Sequence, residues 1–500
     1  MNIESYIVTK QYCTVPLIES IQKLLKIPND KAREVYSSSL AKHIDQLKDS
    51  ISILVEAPYV DKVYRNSYYH YFSSKLKDYP RDTIKLSFFE GKISDSDFRN
   101  EDKYESLKNQ YRGFMVLRPT VKNIIGRNVI SPKALRDNDF ITCTAKFHST
   151  ANFVKFKVEG FPHSSQDTET ITCAETTLWA IMEYFGTKYP DYFPVLPSKI
   201  IEVLKRISTE RQIPSRGLRI DQISYALREF GFGTRLYARD DFGMDEFRRL
   251  FSCYVESGIP LLVAIHGDVI GHALLCVGHC QVTHDQIDFL VESANDGIKI
   301  APDTVKFYDN DDIEKKFVFI DDNMPPFQKL LFKNPTGGYF DCHPDWHKCE
   351  ITHFIAPLYP KIYLEAFEAK KFCKKFLFEN FIIPVDHEIY LRFFLTSGRS
   401  FKNVLNFNKT FDADVRQLIL ETPLPKFVWV GEISNKELIK ERQANGLILL
   451  DATEADTSEL KPLIFANYLS VLFSIDPDEY FFSKKDISLP TFSIFTNNLS

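Results

Sequence analysis

The residue with the most chemical potential in this sequence is Cys173. The stretch Thr172-Cys173-Ala174-Glu175 opens a run in which Leu178, Ile181, Met182 and Phe185 share one face. Gly186 stands where a C-terminal cap belongs, and Thr170 or Thr172 can cap the start. The spacing therefore predicts a helix with Cys173 in its first turn. The helix dipole and the free N–H groups there favour a thiolate, the nucleophilic form of the side chain. Gln166 precedes Cys173 by seven positions (173 − 166 = 7), in the polar stretch His163-Ser164-Ser165-Gln166-Asp167. Its amide and the Cys173 backbone N–H are candidates for the two donors of an oxyanion hole.

A nucleophilic thiol needs a base. Ile259 to Ile265 and Gly271 to His279 read as two buried strands joined by a short polar turn. Gly271-His272 opens the second, where an imidazole can face a cleft while the residues after it fill the core. His272 is the expected base toward the thiol and acid toward a leaving group. Lys316 to Ile320 reads as a further strand ending at Asp321-Asp322-Asn323. A carboxylate at that end can orient the imidazole through its second nitrogen, and Asp321 is the first choice. Asp322 competes for the role, as do Asn295 and Asp296, which follow a strand expected over Ile287 to Val291.

The elements that must position these groups fall into four stretches. Residues 1–82 read as helical, from Leu17, Ile21, Leu24 and Leu25 and from a second helix that Asp30 could cap. The aromatic run Tyr64 to Phe72 reads as packing surface. Residues 83–160 read as β-rich, from the alternation at Ile84, Leu86 and Phe88 and from Phe114 to Leu117, Phe140 to Phe147 and Phe153 to Val158. The chemistry lies in 161–335. Residues 336–500 read as α+β, with helices near Tyr363 to Glu379 and Asp412 to Leu420 and strands at Phe427 to Val430 and Gly446 to Leu450.

The order Gln166, Cys173 at a helix start, Gly271-His272 opening a strand and Asp321 at a later strand end resembles that of papain-like cysteine peptidases. The nearest type is the bacteriocin-leader-processing, double-glycine peptidase of bacterial ABC exporters and stand-alone bacterial proteins. Gly217-Leu218-Arg219-Ile220-Asp221-Gln222-Ile223 and Ala226-Leu227-Arg228-Glu229-Phe230-Gly231 look like the middle helix of that family. The resemblance covers about residues 161–335. It implies an α+β fold whose core is a Cys-bearing helix packed on an antiparallel sheet, and hydrolysis of a peptide or isopeptide bond. Ala174 stands where the family has Gly, and the interval from His272 to Asp321 (321 − 272 = 49) is long. The same residues serve acyl transfer, deamidation or transglutamination, which differ in what attacks the thioester. A catalytically silent peptide-binding module is the non-enzymatic rival.

Composition narrows the rest. Five hundred residues, 44% hydrophobic and 26% charged, describe a globular chain of about three domains. Net charge is −5, so no basic excess points to nucleic acid. No secretory signal or spanning segment is evident, and the nine cysteines are sparse, which suggests a cytoplasmic protein with reduced thiols. The expected partner is a protein or peptide substrate, with a protein activator or inhibitor as a further candidate; no membrane partner and no metal or other cofactor is expected. Cys342, His343, His347, Cys349 and His353 match no standard zinc spacing and read as a polar loop. Cys276, His279 and Cys280 read as core and turn. Asp309-Asn310-Asp311-Asp312 lacks the Gly and distal Glu of a calcium loop and reads as solvated. No dinucleotide fingerprint, Walker loop or HExxH motif is present.

Overall fold

The computed structural model describes residues 4–499 except 121–122, 168, 171, 214–216, 294–304, 340–343, 385, 476–481 and 497. The chain is mixed α+β. It forms two compact units, each assembled from separate stretches. The first comprises 1–231, 262–277 and 317–353, and the second 232–261, 278–316 and 354–500. The stretch 161–335 thus contributes to both.

The first unit holds a seven-stranded antiparallel sheet. Its order is Glu4–Thr9, Ile51–Tyr59, Thr83–Glu90, Tyr111–Leu117, Ile125–Ile130, Val154–His163 and Ala145–Ala151. Two of these strands fall in residues 1–82, which periodicity had predicted as helical throughout. Ile51, Ile53, Leu54 and Val55 are all buried, so the strand is apolar on both faces and carries no alternation to betray it. The expected helical face of Leu17, Ile21, Leu24 and Leu25 is present in Thr14–Leu25 and fully buried. The second helix spans Asn29–Val35; its N-cap is Pro28, and Asp30 lies inside the first turn.

The helix Cys173–Lys188 packs on Ala145–Ala151 and Val154–His163 of this sheet, with Tyr184 stacked on Phe161 at 5.0 Å. It continues two residues past Gly186. That glycine is no cap: a Cβ there would meet the backbone nitrogen of Pro194 at 2.2 Å, so the position is kept bare by close packing of the returning chain.

A second sheet carries Gln328–Leu331, Lys316–Ile320, Gly271–Cys280, Leu261–His266 and Glu350–Leu358 in that order, with the short strand Phe140–Thr142 beside Gly271–Cys280. Gly267 N–H donates to Ile270 O and closes the tight turn between Leu261–His266 and Gly271–Cys280. This sheet presents both His272 and Asp321.

The second unit is built on a seven-stranded sheet of order Lys306–Asp309, Glu388–Ser397, Phe427–Ser434, Gly446–Asp451, Leu463–Tyr468, Val471–Ile475 and Phe482–Asp486. Its first pair is parallel and the rest are antiparallel. The strand expected over Ile287 to Val291 is absent: Ile287 and Asp288 end a short helix, His284–Asp288, started by a Thr283/Gln286 capping box, and 289–291 follow it in no helix or strand. The acidic run at 309–312 is not solvated. Asp309 and Asp311 are buried against Lys370 Nζ at 2.6 Å each, and Asp312 binds Arg248 and Arg249 at 2.8 Å. Those counter-charges come from two distant helices, Met244–Glu256 and Ala366–Asn380, so local composition gives no hint of them.

Among the described residues, no helix is long and apolar enough to cross a membrane, and eight cysteines carry free thiols.

Candidate active site

Cys173 is the first residue of its helix. Thr172 is the N-cap, and Glu175 reaches back to accept the Thr172 N–H at 3.1 Å. This capping box fixes the entry of the chain, and with it the thiol and the Cys173 N–H, at the positive end of the dipole. Cys173 is half-buried.

His272 is buried at the start of Gly271–Cys280. Its Nε2 lies 2.9 Å from Asp321 Oδ1, one residue beyond the end of Lys316–Ile320. The Cys173 thiol lies within interacting range of the same imidazole and adds to its affinity for a proton. With Nε2 committed to Asp321, Nδ1 is the ring nitrogen left for the sulfur. Three residues drawn from 148 positions of sequence (321 − 173 = 148) thus form one line. Burial depresses the affinity of the imidazole for a proton, but Asp321, the thiol and Asp322 together outweigh it and raise His272 well above the ordinary histidine range. Asp321 is held below the usual carboxylate range. Burial pushes it up, and the His272 charge, its hydrogen bond, Tyr339 and the Asn323 N–H bring it down.

Asp321 is saturated with donors. Tyr339 OH donates to Oδ2 at 2.6 Å, and the Asn323 N–H donates to Oδ1 at 3.0 Å. Its backbone carbonyl accepts from His163 Nε2 at 2.9 Å. His163 is fixed by Asn128, whose Nδ2 is 2.8 Å from Nδ1, and both side chains are fully buried. An imidazole that donates through Nε2 and accepts at Nδ1 is neutral, and burial holds His163 down to about 4.

Gln166 is tied into the same network. Its Nε2 donates to Asn323 Oδ1 at 2.9 Å, and Asn323 Nδ2 donates to Tyr339 OH at 3.3 Å. A carboxamide has two N–H donors, so one remains for an oxyanion. The polar stretch around Gln166 is largely buried. His163, Ser164, Ser165 and Asp167 are buried, and only Gln166 is half-exposed. Arg118, also buried, donates from Nη2 to Ser165 O at 2.6 Å, and Ser165 N–H donates to Ile125 O. The first sheet therefore holds the segment in place through Arg118 and Ile125 and leaves the Gln166 side chain facing outward.

Two aromatic residues cover the imidazole side. Trp346 meets His272 edge to face at 5.4 Å and stacks on Tyr339 at 4.1 Å. Neither stood out in the sequence, because nothing local distinguishes Tyr339 or Trp346 from other aromatics. Asn128, His163 and Arg118 were missed as site residues for the same reason.

Asp322 lies beside the line and not in it. Its Oδ1 is 3.6 Å from His272 Nε2, beyond a hydrogen bond. Asn295 and Asp296 lie outside the described residues, as do Cys342 and His343 of the zinc reading. Of the rest of that set, Cys349 is buried and donates to Asp345 O at 3.6 Å, and His353 Nδ1 meets Thr352 Oγ1 at 3.1 Å. His279 is buried with Nε2 3.0 Å from Glu256 and Nδ1 2.7 Å from Cys280 O, and Cys276 is core. Ligand-type atoms of His272, Asp321 and Asp322 lie within 4.8 Å of one another, but His272 and Asp321 spend theirs on each other and on Tyr339 and Asn323. A separate cleft of about 730 Å³, lined by Tyr6, Leu24, Pro58 and Ile84 among others, contains none of these site residues.

Compared with known proteins, the chain matches no family model and no curated protein sequence.

Proposed function

We propose that this protein is a papain-like thiol hydrolase that cleaves a peptide or isopeptide bond. The observation that carries the reading is the convergence of the Cys173 thiol on His272, which is hydrogen-bonded to Asp321, a set buried except at the sulfur end. A thiol at a helix N-terminus, an imidazole raised above its usual range and a carboxylate lowered below its own favour a thiolate–imidazolium pair.

The chemistry follows from the atoms. The Cys173 thiolate attacks the carbonyl carbon, and the carbonyl π pair moves onto oxygen. The Cys173 N–H and the free Gln166 N–H stabilise that oxyanion. His272 gives its Nδ1 proton to the leaving amine as the C–N bond breaks, which leaves an acyl thioester. The neutral imidazole then takes a proton from water, hydroxide adds to the thioester carbon, and collapse returns the thiolate and a carboxylic acid. Asp321 keeps Nε2 protonated and the ring in plane throughout.

Peptide mixtures digested in heavy-oxygen water, with mass spectrometry of the products, test the reaction class. New termini carrying heavy oxygen, absent with Cys173→Ala, are the expected result. A glutamine-to-glutamate mass change without cleavage assigns deamidation on the same residues, and a new amide bond assigns acyl transfer.

A further inference from the structure

Asp322 is a buried carboxylate whose two oxygens accept no hydrogen bond from any other residue. A group of that kind is costly, and the fold places it next to the imidazole. Its Oδ1 is 3.6 Å from the same His272 nitrogen that Asp321 approaches at 2.9 Å. The charged and titratable groups facing it are His272 on one strand, the adjacent Asp321, and Arg118 from the first sheet, with Tyr339 beyond. Arg118 makes its hydrogen bonds to Thr120, Asn123 O and Ser165 O and acts on Asp322 only through its charge.

Resting on the thiolate–imidazolium reading above, we propose that Asp322 is a second carboxylate partner of His272, a positioning residue that binds and releases one proton and thereby sets how firmly the imidazolium keeps its own. When Asp322 is ionised, two negative charges face Nε2 and the imidazolium is held to higher pH. When Asp322 is protonated, only Asp321 holds it. The geometry leaves little alternative role: at 3.6 Å the carboxylate is near enough for strong charge coupling in a low-dielectric site, yet it orients no donor. Burial, and after it the opposing pulls of His272 and Asp321, put its proton release near neutrality, at about 7. The pair is therefore coupled, and its two steps belong to the cluster as a whole.

The test reads the His272 ring directly, by carbon-13 NMR of ring-labelled histidine over a pH series in wild type and Asp322→Asn. Wild type is expected to show two inflections, one near neutrality and a second where the imidazolium is lost. Asp322→Asn is expected to show one, moved down by about one pH unit relative to the wild-type loss. Superimposable titrations overturn the proposal. A wild-type His272 already neutral below pH 7 is a different result, because it removes the ion-pair reading itself. If Asp322→Asn does not fold, carboxyl-labelled aspartate in wild type decides the matter. An Asp Cγ resonance titrating near neutrality, and missing the ordinary range of about 4, supports the proposal. All aspartates titrating in that ordinary range overturn it.

Discussion

His163 Nε2 meets the backbone carbonyl of Asp321 at 2.9 Å across 158 positions of sequence. A strand end of the first sheet thereby fixes the strand end that carries the orienting carboxylate. The first sheet also backs the Cys173 helix and holds the Gln166 segment through Arg118 and Ile125. It is the scaffold on which the proposed nucleophile, oxyanion donor and orienter are registered.

His163→Gln is expected to lower Cys173 reactivity while leaving the thiol accessible. It also has a pH signature. His163 is held at about 4 when folded, against 6.5 when unfolded, so the unfolded chain binds more protons between those values. Its contribution is complete above about 6.5 and is lost as pH falls toward 4, at a cost of about 3 kcal/mol. Thermal melts at pH 7.5 and 5 check this: the drop in Tm should be smaller in His163→Gln than in wild type.

Asp322 has the opposite sign. Its folded value of about 7 lies above its unfolded 3.8, so the folded chain binds more protons between them. That stability is fully present below about 3.8 and is lost as pH rises through 7, on the order of 4 kcal/mol by pH 8. Asp322→Asn should therefore narrow the difference in Tm between pH 5 and pH 8.

Asp321→Asn removes the charge that holds the imidazolium and disturbs the acceptors for Tyr339 and Asn323. By analogy with triad orienters elsewhere, turnover should fall by about four orders of magnitude. Steady-state kinetics on the cleaved peptide, beside Tyr339→Phe as the milder variant, measure it.

Gln166→Ala separates oxyanion stabilisation from thiol activation. Its amide lies at the far end of the Asn323–Tyr339–Asp321 chain. The expected result is a fall in kcat of about a hundredfold with Cys173 alkylation unchanged. A matching fall in alkylation contradicts the assignment.

Legibility in the sequence followed locality. The Cys173 helix and the strands bearing His272 and Asp321 each advertise themselves within a dozen residues, through periodicity, a capping residue or a buried apolar run. What fixes them does not. Asn128 carried no expectation and His163 fell in a polar stretch, and only the pairing of their strands makes them a relay to Asp321. Tyr339 and Trp346 fall in a stretch assigned to a different region. The acidic run 309–312 looked solvated because Lys370 and Arg249 lie some 60 residues away on either side. Ile287, Phe289 and Val291 alternate as in a strand, but Phe289 and Val291 are exposed and of the three Ile287 alone is buried.

The most direct measurement is the rate of Cys173 alkylation by iodoacetamide across pH, with peptide mapping, in wild type and His272→Ala. Cys280 is the internal control, being half-exposed like Cys173 but no part of the proposed site. Selective labelling of Cys173 below about pH 7, abolished by His272→Ala, is the predicted result. Labelling of Cys173 no faster than Cys280, and indifferent to His272→Ala, contradicts the thiolate–imidazolium pair and with it the proposed activity.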